Sequence, residues 1–94
     1  PVNNKDAIDA IEKMIEEDFR KDGKKKYTLK IWFSTEPNDI LEYKFFTDSD
    51  DGARNFADDR IYSELVDRAQ KKTKEEIGKC FSELYREGEK ILYE

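Results

Sequence analysis

Apolar and polar positions change period along this chain, and those changes divide it into elements. From Asn4 to about Asp22 the apolar residues Ala7, Ile8, Ile11, Met14, Ile15 and Phe19 recur at i, i+3, i+4 and i+7, the spacing of one helix face. Asn3 or Asn4 is placed to cap this helix, because a short polar side chain can accept a hydrogen bond from an amide of the first turn. Asp9–Lys13, Glu16–Arg20 and Glu17–Lys21 put an acid four residues before a base, each pair worth about 0.2–0.5 kcal/mol. Gly23 follows the last periodic residue and suits the left-handed backbone beyond a helix end.

After Lys24–Lys26 the period falls to two. Tyr27, Leu29, Ile31 and Phe33 point one way, and Thr28, Lys30, Trp32 and Ser34 the other. Glu36-Pro37-Asn38-Asp39 carries turn chemistry, and from Ile40 to Thr47 the alternation resumes with Leu41, Tyr43 and Phe45 on one side. The pattern predicts an antiparallel hairpin with one fully apolar face and a second face carrying Trp32, Ile40 and Phe46. Asp48-Ser49-Asp50-Asp51-Gly52 reads as a loop from which Ser49, Asp50 or Asp51 caps a second helix.

That second helix carries Ala57, Ile61, Leu65 and Ala69 on one row, with Phe56, Tyr62 and Val66 beside it. Thr73-Lys74-Glu75-Glu76 has the form of a capping box, and Ile77, Cys80, Phe81, Leu84, Tyr85, Ile91 and Leu92 continue at helical spacing. The reading is a third helix starting near Thr73. One unbroken helix from about residue 54 to 92 fits the same phase, but its length far exceeds the ~11–12 residues usual in globular proteins. The expected fold is therefore α+β: one antiparallel hairpin packed on three helices in the order α-β-β-α-α, within a single compact domain spanning residues 1–94. Residues 91–94 could instead form a short third strand.

Composition tests whether such a chain folds at all. Of its 94 residues 44% are charged and 36% hydrophobic, a balance that approaches disordered chains. The phased apolar positions and the 13% of aromatic residues argue for a folded core with a heavily charged surface. Eighteen bases against 23 acids leave a net charge of −5, with a pI near 4.9. That balance opposes binding to nucleic-acid phosphates, although Arg20, Lys21 and Lys24–Lys26, and Arg68, Lys71, Lys72 and Lys74, form two basic clusters. Both clusters fall near expected helix C-termini, where cations complement the helix dipole. No apolar run approaches the ~20 residues that cross a bilayer, and no signal-peptide pattern opens the chain. With a single cysteine, these features give a cytoplasmic expectation.

Candidate chemistry is sparse. The chain has no histidine, which removes the commonest general base and metal ligand. Cys80 lies in an apolar stripe, where a thiol behaves as a small hydrophobe. Asp48, Asp50, Asp51, Asp58 and Asp59 are the nearest approach to a cation site. Counting from Asp48 puts glycine fifth, and placing Gly52 sixth puts Thr47 first, so neither register makes an EF-hand loop. No phosphate-cradling glycine loop, Gly-x-Ser-x-Gly or Cys-x-x-Cys occurs.

The expectation is accordingly not an enzyme and carries no cofactor or metal. It is a small acidic protein-interaction domain, of inhibitor or immunity type, that meets a basic protein. The contact residues expected are Trp32, Ile40 and Phe46 on the mixed hairpin face, or the acids Asp48, Asp50, Asp51, Asp58 and Asp59. Pairing of two copies through the hairpin edge or the aromatic face is a related expectation. The competing reading is a designed domain with no natural activity, which the capping box, the helix-ending glycine and the dense acid–base pairing suggest.

Overall fold

The computed structural model describes residues 4–91; of the two cap candidates Asn3 lies outside the described residues, and Asn4 is the first residue of the first helix. The elements are α1 (Asn4–Lys21), β1 (Lys25–Phe33), β2 (Glu36–Thr47), α2 (Asp50–Ala69), α3 (Lys74–Ile77), β3 (Cys80–Arg86) and β4 (Glu89–Ile91). The strands form one antiparallel sheet in the order β2-β1-β3-β4. The fold is α+β.

The apolar side of β1 is the centre of the core. Tyr27, Leu29, Ile31 and Phe33 are buried together with Leu84 of β3, and Ala53 and Ala57 of α2 close over them. The two alanines let the helix backbone approach the sheet. Farther along, Ile61 and Leu65 continue the contact. Leu41, Tyr43 and Phe45 extend the same face onto β2, and Phe56 stacks on Phe45 with ring centroids 3.9 Å apart. Ser49 caps α2, its hydroxyl accepting from the Gly52 N–H at 3.0 Å.

The first hairpin forms, but its turn is not at Glu36–Asp39. The chain reverses at Ser34–Thr35, and Glu36 already pairs with Phe33. The register then shifts between Ile31 and Phe33, so Pro37–Ile40 bulge from β2. A proline cannot donate to a ladder, and on an edge strand a bulge accommodates it.

The third helix is the larger correction. Thr73 makes the full capping box with Glu76, yet α3 ends after one turn at Ile77. Gly78 there has φ +73° and ψ −154°, a conformation that only glycine adopts readily and that stops a helix. Residues 80–86 alternate as a strand: Cys80, Ser82, Leu84 and Arg86 face α2, while Phe81, Glu83 and Tyr85 face away. Glu87 and Gly88, both at positive φ, make a two-residue hairpin turn into β4. A second hairpin thus replaces the expected helix, and the unbroken helix over 54–92 is excluded, since α2 ends at Ala69. The short strand weighed as an alternative for 91–94 begins earlier, at Glu89, and residues 92–94 lie outside the described residues.

The first helix has the expected extent, and Gly23 at φ +80° follows it as expected. Its apolar face is not in the core. Ile8, Ile11, Met14 and Ile15 are 54%, 56%, 65% and 48% exposed. The C-terminal end of α1 is anchored to the sheet, where Phe19 stacks on Phe46 at 4.9 Å and Arg20 grips Glu87 with two bonds of 2.8 and 2.9 Å.

Candidate interaction surfaces

The sheet face turned away from α2 carries three rows of different character. At one end Trp32 pairs across the strands with Phe81, their rings stacked at 5.8 Å, and Ile40 on the bulged edge is 52% exposed. The middle is polar. Lys30 lies opposite Glu42 and Glu83, with its ammonium over the Tyr85 ring at 5.0 Å. The opposing carboxylates are drawn elsewhere: Glu83 pairs with Lys90 at 2.8 Å and Glu42 with Lys44 at 3.6 Å. At the other end Phe46 lies opposite Lys26, beneath Phe19. Trp32 and Lys26, the β1 residue opposite Phe46, are six residues apart, about 20 Å at the usual strand rise. Trp32 and Phe46 do not form one patch.

The acids of the 48–59 region also divide. Asp50 belongs to the fold: it accepts from the Tyr27 hydroxyl at 2.6 Å and is ion-paired with Arg86, tying the start of α2 to β1 and β3. The Tyr27 bond and then Arg86 hold the Asp50 carboxyl below its usual range, while burial and that carboxylate push the Tyr27 phenol up to about 12. Asp51 turns to Arg54 at 3.1 Å. Asp48 is exposed beside this cluster, in a shallow cleft with Lys25 and Arg86.

Asp58 and Asp59 lie on the outer face of α2 and are exposed. Tyr62, four and three residues on, stands over them by helical spacing and is 71% exposed; Val66 one turn farther is 37% exposed. Arg60 is turned from this face, its guanidinium over the Tyr43 ring at 4.6 Å. The sequence pattern placed Tyr62 beside the core-facing row; that row, Ala53, Ala57, Ile61 and Leu65, packs on the sheet, and Tyr62 points outward.

Cys80 is half-buried in the core-facing layer, and burial raises its thiol pKa above the ordinary value, which favours the unreactive neutral form. Among the described residues no three Cys, Asp or Glu side chains converge as a metal-holding group. No described helix is long and apolar enough to cross a membrane.

No family model, curated protein or solved structure matches this chain.

Glu87 is a residue that sequence reasoning passed over. It accepts Arg20 on both carboxylate oxygens and the Lys26 N–H at 3.1 Å, while its own N–H donates to the Lys26 carbonyl. These bonds hold its carboxyl below the usual range and fix α1 to the sheet. The Glu87-Gly88 pair was the available signal for this turn.

Proposed function

We propose that this chain is a non-enzymatic interaction domain, an inhibitor- or immunity-type binder whose acidic α2 surface engages a basic protein. The observation that carries the reading is Tyr62, 71% exposed on the same helix face as Asp58 and Asp59. Tyrosine supplies large contact area and a polar tip at little entropic cost, and it is enriched among residues that dominate binding energy. Carboxylates around it attract a cationic surface and speed the encounter. Asp48 and Asp51 extend the negative field towards the start of the helix, while Asp50, held by Tyr27 and Arg86, serves the fold.

The chemistry available elsewhere agrees with binding rather than turnover. There is no histidine, burial pushes the Cys80 thiol pKa up, and the Asp50 and Glu87 carboxyls, whose pKa values are lowered, are ion-paired in place. A cell extract passed over the immobilised protein at low and moderate salt tests the reading. Wild type retains a protein of high pI, and the variant Asp58→Asn/Asp59→Asn/Tyr62→Ala does not. Equal retention by both proteins refutes the acidic-surface contact.

A further inference from the structure

We infer that the first helix is a hinged flap: α1 opens from the sheet as a unit and uncovers Phe46, while the strands and α2 stay folded. Among the described residues, neither the core nor the half-buried side chains packed on it include any from α1. From residue 5 to residue 21 only Glu16 and Phe19 are half-buried, and the rest are exposed. The core lies on the other side of the sheet and keeps all its own side chains when α1 moves.

What holds α1 is gathered at its last turns. Phe19 lies on Phe46 with the two rings 15° from parallel. Arg20 takes both Glu87 oxygens and also reaches Glu16 at 2.9 Å. This latch is weak of its kind, because Arg20 and Glu87 are 44% and 37% exposed and salt screens a pair so placed. Farther towards the N-terminus a cleft already parts helix from sheet. Glu12, Ile15 and Glu16 line one wall of it, and Lys26, Lys44 and Phe46 the other. Beyond the cleft Ile8 and Ile11 are more than half exposed.

The connection to the sheet is built to turn. Asp22, Gly23 and Lys24 are all that lies between α1 and β1. The Gly23 N–H donates to the Arg20 carbonyl and the Lys24 N–H to the Phe19 carbonyl, both at 3.0 Å, which closes the helix end on itself. Those bonds travel with the helix, so rotation beyond the Lys24 nitrogen breaks neither. Nothing lies within 4 Å of where a Gly23 Cβ would sit, so no neighbour clamps the bend. On the far side β1 is held separately, Lys25 pairing with Thr47 and Lys26 with Phe46. Glu87 stays with the sheet through its bonds to Lys26. The latch therefore parts between Arg20 and Glu87 and between the two phenyl rings. What opening uncovers is one end of the sheet face turned away from α2, separate from the α2 surface proposed for binding.

Native-state hydrogen exchange of the full chain, followed residue by residue by NMR, tests the inference, because a detached helix of 18 residues is marginal in water and its amides exchange once it opens. Amides of residues 15–21 lose protection by roughly 100-fold or more relative to those of residues 29–33. Arg20→Met, at an exposed position, speeds exchange throughout 8–21 by roughly three- to fivefold and leaves 29–33 and 53–65 unchanged. Phe19→Ala does the same more strongly. Raising salt from about 0.05 to about 0.5 M speeds α1 exchange in wild type, and less so in Arg20→Met. Amides of α1 as slow as those of β1 overturn the inference, since helix and sheet then open only together. So does exchange over 15–21 that neither substitution changes, which is fraying and not release of the latch, or a sheet whose exchange rises equally with that of α1.

Discussion

Gly78 and Ser34 touch where the two hairpins meet. A Cβ built on Gly78 would overlap the Ser34 hydroxyl oxygen and come within 2.9 Å of Thr35 Cγ2. Around this approach the Ser34 N–H donates to the Lys79 carbonyl at 2.8 Å, the Lys79 N–H donates to Ser34 Oγ at 2.8 Å, and the Thr35 hydroxyl donates to the Ile77 carbonyl at 2.9 Å. The end of α3 is thereby sewn to the β1–β2 turn, and β3 leaves the junction already aligned with β1.

Gly78→Ala is therefore expected to cost about 3 kcal/mol or more, combining a backbone conformation disfavoured for any residue with a Cβ and the overlap with Ser34. Gly88→Ala is the control. It also has positive φ, +86°, but nothing lies within 4 Å of its Cβ, so about 1 kcal/mol is expected. Urea unfolding of both variants measures the difference; equal losses would contradict the account of the junction.

Core substitutions distinguish a strand from a helix over residues 80–86. In the strand Leu84 is fully buried and Phe81 points to the opposite face at 43% exposure. Leu84→Ala should cost about 2–5 kcal/mol. Phe81→Ala should cost clearly less, losing its stack on Trp32 but leaving no core cavity. Comparable costs at the two sites would match the shared face of the helical reading.

The Tyr27–Asp50–Arg86 cluster sets stability at both ends of the pH scale. Asp50 has a lowered pKa in the fold, so its contribution is present above the unfolded value near 3.9 and disappears as pH falls through the folded value. Tyr27 behaves oppositely: its contribution is full below the unfolded value near 10 and is lost as pH rises towards about 12. Asp50→Asn should flatten the acid limb of stability measured by urea unfolding. Tyr27→Phe should flatten the alkaline limb and remove about 1 kcal/mol at neutral pH through the lost hydrogen bond. An unchanged alkaline limb in Tyr27→Phe would contradict the assignment.

The elements with strong periodicity were legible in the sequence. Helix α1, the 27–33 strand, the capping box at Thr73 and the glycine after α1 all follow from local chemistry, which also narrowed the cap of α2 to Ser49, Asp50 or Asp51. The second hairpin was hidden because Ile77, Cys80, Phe81 and Leu84 satisfy helical spacing, while Phe81, Glu83 and Tyr85 also alternate against Cys80, Ser82 and Leu84. The Gly78 backbone and the Glu87-Gly88 turn decide between those patterns, and their cost is repaid by pairing with β1 far away in sequence. Local patterns also could not show that Asp50 works inside the fold, that Tyr62 faces out, or that the apolar face of α1 lacks a cover. Each depends on where another element lies.

The most direct test of the proposed function is the kinetics of binding to the captured basic protein. Charges around a contact chiefly set how fast partners meet, whereas a central anchor sets how long they stay. Surface plasmon resonance across salt concentrations should show an association rate that falls with salt and drops in Asp58→Asn/Asp59→Asn. Tyr62→Ala should leave that rate nearly unchanged and raise the dissociation rate by roughly tenfold or more. A dissociation rate unaltered in Tyr62→Ala, together with an association rate insensitive to salt, would contradict the assignment of the α2 face as the binding surface.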